Sequence, residues 1–541
     1  MKNYLSTSND IENSRPFDVH VWSDYPEFNQ LVHKLWVKYF PLEDGIVRRG
    51  PVPKAITKVH FKTLLLDLYV SWMTDPNMYL GIFMAKSAWK PNSRYNALHL
   101  SFRMVAIIKE LEAVGLVEVE LGRQGTLTRI RATRQLQLMF RDLKFPIRDV
   151  AFGYMEETII LRAAPKKSDE SDEKDARKTK KKPKKPNLEY VDTPETIRMR
   201  GVLKKYNELL SKSRLDVFSL DVPYVVRNTE KGKRAGDTAL LHIDDRNKFV
   251  KRVFNNASWE SGGRFYGGWW QQIGKELRSD IMINDNPVVE IDFNAMHIAL
   301  LQAQVVEKPE PDLVVVKGGE PQQKPDLFEQ FSAARLIATD DAPNANDDPY
   351  TLGKAIFPHK KDFDQRKAVK KLVLMAINAN SRALAFSAFR SSQPSGDPLR
   401  KMTNAELSQL LDAFIEKHPK LEPFLCAVKW GELMNLDSRI AESVIEQLTD
   451  KSIPVLCVHD SFIVADYQKK ELLRAMERAC NQVIGRNIKS DYTKDGLLDG
   501  FEKFQNTQKE TKKPVKKIDR CEGYMRRMGL VPCDDHFEWK L

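Results

Sequence analysis

Residues 287–304 read PVVEIDFNAMHIALLQAQ, and residues 452–466 read SIPVLCVHDSFIVAD. The first passes from an apolar strand, VVEIDF, to the start of a helix, AMHIALLQAQ, with Asp292 at the junction. The second sets His459, Asp460 and Ser461 between two apolar strands without a glycine, which predicts a tight hairpin with an aspartate at its tip. An acid at a strand end beside a helix start is well placed to hold a cation. Taken alone, an Asp that caps a helix explains the first stretch equally well, and an Asp-stabilised turn explains the second. Glu290 precedes Asp292 by two residues and shares its strand face. It is either a third carboxylate of the same site or a plain surface acid.

Between these stretches, residues 365–386, QRKAVKKLVLMAINANSRALAF, predict a long helix. Arg366 and Lys370 are four apart and therefore on one face, where two cations repel unless they address anions such as phosphates. An ordinary basic surface helix has the same pattern.

Taken in order, VEIDFNAMH, R-x3-K-x7-N and VHDSF resemble motifs A, B and C of the single-subunit polymerase superfamily, which covers family A DNA polymerases and bacteriophage-type and mitochondrial RNA polymerases. Upstream, SGGRFYGGWWQQIGKELRSDI is similar to the T-G-R … Q-N-I-P … R stretch of family A enzymes and to the D-x-x-G-R-x-Y element of phage-type RNA polymerases. The resemblance spans residues 259–466, with an insertion at about 305–348. It implies an α+β right hand: an antiparallel palm sheet, helical fingers, and a thumb formed by helices around residues 194–215. Asp292 and Asp460 would then bridge two Mg²⁺ ions, or Mn²⁺ in their place, about 3.5–4 Å apart. Arg366 and Lys370 would clamp a nucleoside triphosphate, with Lys370 the acid for pyrophosphate. Arg264, Gln272 and Arg278 would touch DNA template or primer, and His459 would support the primer terminus.

Three departures bear on what such an enzyme would use. Asn378-Ala379 stand where the family has Tyr-Gly, which alters the base-stacking platform and makes Lys371 an alternative clamp. His297 stands where family A enzymes place a glutamate against the sugar 2′ position; a bulky imidazole crowds a 2′-hydroxyl, yet a histidine can also hydrogen-bond one. Ser461 is the RNA-polymerase choice, where DNA polymerases usually carry Glu. The resemblance therefore leans towards a DNA-dependent DNA polymerase; compactness and domain mix point to a mobile element and to replication partners, and no segment resembles the carboxylate-rich proofreading exonuclease of many family A enzymes. A single-subunit RNA polymerase or primase is the alternative within the class. Outside it stands a DNA-binding replication initiator or regulator with a vestigial palm.

The N-terminal region has its own pattern. In residues 95–133, YNALHLSFRMVAIIKELEAVGLVEVELGRQGTLTRIRAT, Leu98, Phe102, Val105, Ile108 and Leu111 predict a helix from about Asn96 to Ala113, ended by Gly115. LVEVEL and LTRIRAT follow as strands around a GRQG turn, and KVHFKTLLLDLYVSWM is an earlier helix. The order resembles a winged helix-turn-helix domain. It makes Arg94, Arg103, Arg123, Arg129 and Arg131 candidate DNA contacts, although such domains also bind proteins.

The bulk composition agrees with a large intracellular protein. With 541 residues, 42% of them hydrophobic, the chain predicts several domains. We divide it at 1–163 (winged-helix-like), 164–187 (linker), 188–504 (polymerase-like) and 505–541 (basic tail). The linker, APKKSDESDEKDARKTKKKPKKPN, has too little apolar surface to offset its ordering entropy. The net charge of +12 suits a polyanionic partner. Five scattered cysteines show neither disulfide-framework nor zinc spacing. No apolar run nears the roughly 20 residues that span a bilayer, and the polar, acidic start is no secretory signal. The expected location is the cytoplasm, with no membrane partner.

Overall fold

The computed structural model describes residues 13–40, 54–122, 127–143, 145–164, 185–228, 238–305, 348–359, 363–492 and 519–530. The chain is mixed α+β, and its buried apolar residues form two cores, one within residues 21–150 and one within residues 159–488.

The N-terminal core is built from strand β1 (Ser14–Pro16), helices α1 (Pro26–Tyr39) and α2 (Lys54–Thr74), β2 (Tyr79–Ile82), α3 (Arg103–Ala113), β3 (Val117–Glu120), β4 (Thr128–Ala132) and α4 (Arg134–Arg141). The sheet order is β1-β2-β4-β3, with β1 parallel to β2 and the other pairs antiparallel. Residues 60–71 of α2 are buried all round, as in a helix at the centre of a domain. α3 buries Met104, Val105, Ile107, Ile108 and Leu111. It stops where expected: Gly115 takes φ +71°, its N–H donates to the Glu112 carbonyl (3.0 Å), and the Leu116 N–H donates to Leu111 (2.9 Å). Its start is seven residues later than the pattern predicts. Asn96 bonds both backbone groups of Leu100 through its side chain, and His99 is left-handed at φ 53°. These local bonds outcompete the helix over residues 96–102.

The second core begins with β5 (Ile159–Leu161), α5 (Pro194–Lys212), β6 (Leu215–Val217) and the hairpin β7 (Tyr224–Asn228) and β8 (Thr238–His242). Next come β9 (Lys251–Asn255), β10 (Ser258–Tyr266), α6 (Lys275–Arg278), β11 (Ile281–Ile283), β12 (Asn286–Phe293) and α7 (Met296–Gln304). A helical group follows: α8 (Gln365–Asn378), α9 (Arg382–Ser391) and α10 (Asn404–Lys417), then the long α11 (Trp430–Asp450). β13 (Leu456–Val458), β14 (Ser461–Ala465), α12 (Lys469–Ile484), β15 (Ser490–Tyr492) and α13 (Glu522–Arg527) complete it.

The central sheet runs β13-β14-β12-β11-β6, antiparallel throughout, and β15 joins β12 beyond the end of β11. α11 packs on β10, α12 and α5. The region expected to form a thumb is one helix, α5. Met199, Leu203, Tyr206 and Leu210 bury it in the main core, and the Tyr206 hydroxyl donates to the Val455 carbonyl (2.7 Å).

Residues 165–184 of the expected linker and 306–347 of the expected insertion lie outside the described residues. So does most of the tail, but residues 519–530 dock on the β6–β11 edge. Tyr524 is buried and bonds Asp285 (2.7 Å), while Arg527 forks onto Asp216 (2.8 and 3.0 Å). Cys426, Cys457, Cys480 and Cys521 are free thiols. No helix among the described residues is long and apolar enough to cross a membrane.

Candidate active site

β12 and β14 pair from Val288↔Ala465 to Asp292↔Ser461. The hairpin leading into β14 has only two loop residues, His459 and Asp460, because Val458 pairs with Ser461. Two-residue hairpins favour a left-handed first residue to match strand twist; here it is His459 at φ 60°. A non-glycine residue in that conformation costs about 1–2 kcal/mol, the kind of strain that collects at functional sites. The turn carries Asp460 to the end of β12, where its carbonyl accepts from the Phe293 N–H (3.4 Å). Asp292 and Asp460 thus stand on adjoining backbone segments at one end of the sheet.

Their electrostatics are unbalanced. Asp292 keeps a solvent-facing side, yet the protein crowding it, followed by the charges of Asp460 and Glu290, pushes its carboxyl up to about 7. Glu290 is tied down by its own partners. Arg278 grips it with two bonds (3.0 and 2.9 Å), and the Ser461 hydroxyl donates to it (2.8 Å). Glu290 is therefore a neutralised brace between strands, and Arg278 is spent on it.

Behind the aspartates lies a second group that sequence reading found only in part. Arg264, at the end of β10, donates through Nε to both oxygens of Asp437 (3.2 and 3.0 Å) and through Nη2 to one of them. Burial opposes the guanidinium charge, but pairing with Asp437 outweighs it and holds the Arg264 pKa above its ordinary value. His297, second residue of α7, places Nε2 3.4 Å from Arg264 Nη2 and 3.6 Å from Asp437 Oδ2. Two glycines make this approach feasible. Gly262 and Gly263 have φ +86° and +89°, and a Cβ on Gly263 would come within 2.7 Å of Ser438 Oγ on α11. His459 closes the group edge-on to Tyr266, with centroids 5.6 Å apart. Burial, reinforced by Arg264, pulls its pKa down, so it is neutral at physiological pH.

Asp437 was the residue missed. Its signal was a carboxylate inside the apolar stripe Leu433, Leu436, Ile440, Ala441 and Val444 of α11, where an acid needs a buried cation. Gln272 is exposed just past a 3₁₀ turn, and its neighbour Gln271 bonds the Phe265 and Cys457 carbonyls (3.0 and 2.9 Å).

The fingers candidates form a separate group on α8. Ala368, Val369, Leu372, Val373, Ala376 and Ile377 are buried, leaving Arg366, Lys370 and Asn378 exposed. Arg366 pairs with Asp348 (2.5 Å), and Lys370 lies over the Tyr350 ring (5.8 Å to its centre). Lys371 instead turns into the helix packing, bonding Gln393 (2.7 Å). Asn378 caps back onto the Leu374 carbonyl (2.8 Å).

In the N-terminal core, Arg94 is committed internally: it bonds Glu157 and Asp192 (both 3.2 Å) and stacks on Tyr190. Arg131 pairs with Glu118 (2.8 Å) and covers Tyr79. Arg103 and Arg129 have no ion pair among the described residues, and Arg123 lies outside them. No protein-family model matches the chain, and no curated protein matches it.

Proposed function

We propose that the chain is a template-directed nucleotidyltransferase acting on DNA, a DNA-dependent DNA polymerase with a right-hand arrangement behind a winged helix-turn-helix domain. The observation that carries this reading is that Asp292, at the end of strand β12, and Asp460, in the turn before β14, stand on adjoining backbone segments, with Asp292 destabilised as an anion by burial and by the charges of Asp460 and Glu290. A divalent cation relieves that repulsion, so the donor set fits Mg²⁺. Among the described residues no group of three or more His, Cys, Asp or Glu is placed to hold a metal. The protein donors are then the two aspartates, with phosphate oxygens and water completing the shell, as suits Mg²⁺. When bound, the ions supply Lewis-acid activation of a primer 3′-hydroxyl and neutralise the triphosphate.

The remaining roles fall to the chain's own groups. Lys370 and Arg366 hold the triphosphate from the exposed face of α8; Lys371, turned into packing, does not. His297 is anchored by Arg264 and Asp437, and a fixed imidazole crowds a 2′-hydroxyl more than a mobile one would, which favours deoxynucleotides. The neutral His459 and Tyr266 form an apolar-edged platform suited to a primer terminus. The β2-β4-β3 sheet with α2 and α3 supports the winged-helix assignment, and its phosphate-contact candidates are Arg103 and Arg129, with Arg123 outside the described residues.

The test is primer extension on a DNA template with Mg²⁺, comparing deoxynucleotides with ribonucleotides and the unmodified chain with Asp460→Asn. Deoxynucleotide extension lost in the variant supports the proposal. Extension with ribonucleotides alone moves the protein to an RNA polymerase or primase. No synthesis with either, while DNA binding persists, overturns catalysis.

A further inference from the structure

At the edge of the N-terminal sheet, a cleft of about 770 Å³ opens between β1, the stretch that follows β2, and residues 186–189. That volume is within the range of sites that hold a small organic ligand. Its lining is aromatic: Phe17, Phe83, Trp89 and Tyr95 all face it. Phe83 is 55% exposed, an apolar ring at the mouth that contributes little to the core. Trp89 donates its indole N–H to the Phe83 carbonyl (3.0 Å), so its ring is held in place. Asn92 and Asn187 add side-chain amides, which both donate and accept, as base edges require.

The rim carries one acid and one lysine. Glu189, the acid in the lining, accepts from the Ser93 hydroxyl (2.6 Å) and the Arg94 N–H (3.2 Å), and it lies 3.8 Å from the Arg94 guanidinium. Lys90 in the lining, and Lys86 at the start of the 3₁₀ turn that brings Ala88 to the lining, are exposed and have no ion pair among the described residues. Aromatic rings beside uncompensated lysines match a base joined to its phosphate. Stacking on aromatic side chains tolerates any base, and the lysines contribute a salt-dependent attraction. A neutral apolar ligand would use the rings and leave the lysines idle.

We infer that this cleft binds an unpaired nucleotide of single-stranded DNA, with the base on Phe83 or Trp89, the phosphate towards Lys90, and Lys86 on the adjoining turn for the next phosphate. The choice of DNA rests on the template proposed above, whereas the binding itself does not depend on synthesis. The experiment uses the full chain and a fluorescent oligothymidylate carrying 4-thiothymidine. Binding is read by anisotropy, and photo-crosslinks are mapped by peptide mass spectrometry. Phe83→Ala is expected to weaken binding about tenfold, Lys86→Ala with Lys90→Ala to flatten its salt dependence, and crosslinks to fall within residues 83–96. Asp460→Asn should keep both binding and crosslinks. A chain that fails to polymerise yet still crosslinks at the cleft would separate this inference from the catalytic one. Unchanged affinity in Phe83→Ala with crosslinks confined to residues beyond 190 would overturn it. Preference for an oligouridylate competitor would overturn the assignment to DNA.

Discussion

Asp437→Ala removes the buried partner of Arg264 and tests whether α11 organises the candidate site. Asp437 is 3% exposed, and it accepts both branches of the Arg264 guanidinium. Breaking a buried ion pair by removing one member costs about 3–5 kcal/mol, because the other charge is left unpaired. The Arg264 side chain is 17% exposed, so water can partly solvate it, which puts the expected loss near the low end, about 3 kcal/mol. Urea denaturation should show a lower midpoint with an unchanged slope. The double variant Arg264→Met/Asp437→Leu should regain much of that stability, since an apolar pair leaves no unpaired charge. Neither variant should extend a primer normally, because His297 loses Asp437 in the single variant and both of its polar neighbours in the double. A loss below about 1 kcal/mol in Asp437→Ala, or a double variant no more stable than the single, would refute the reasoning.

Other outcomes follow from the same geometry. Because the folded-state pKa of Asp292 is raised to about 7, the metal-free chain should lose stability as pH rises from about 4 to 7. Asp292→Asn should flatten that thermal-melt profile and abolish stabilisation by Mg²⁺. Apparent Mg²⁺ affinity in the unmodified chain should rise between pH 6 and pH 8, with proton uptake on metal removal at pH 6, measured by calorimetry in two buffers. Gly263→Ala should cost about 2 kcal/mol or more, since it adds a clash with Ser438 to a left-handed backbone; chemical denaturation checks it. Lys370→Ala should raise the KM for nucleotide far more than Lys371→Ala in steady-state extension, reversing if Lys371 is the clamp.

The parts of the fold legible in sequence were those fixed by local pattern. VVEIDF and the VHDSF hairpin read correctly because strand alternation and a two-residue turn are encoded within a few residues, and Gly115 marked the end of α3 for the same reason. The start of α3 was obscured by Asn96, whose side-chain bonds to the backbone leave no trace in hydrophobic periodicity. The juxtaposition of Asp292 and Asp460 was suggested by motif order, but the neutralisation of Glu290 was not, since Arg278 on α6 and Ser461 on β14 meet it only when those elements pack against β12. Asp437 lies 173 residues from Arg264, and no local signal joins the two. Lys370 and Lys371 are neighbours in sequence, and only the packing of α8 on α9 separates a solvent-facing cation from one turned inward.

The register of β12 also sets a timetable. Its partner β14 is synthesised about 170 residues after it, and β15 later still. At the usual pace of translation this leaves one edge of the strand unpaired for roughly 10–30 s. Pairings so distant in sequence form slowly, and an apolar strand edge waiting that long is open to pairing with a neighbouring chain. The element that carries Asp292 is therefore also one that exposes the chain to mispairing in the cell, and a lower expression level, which dilutes neighbouring nascent chains, should raise the yield of native protein.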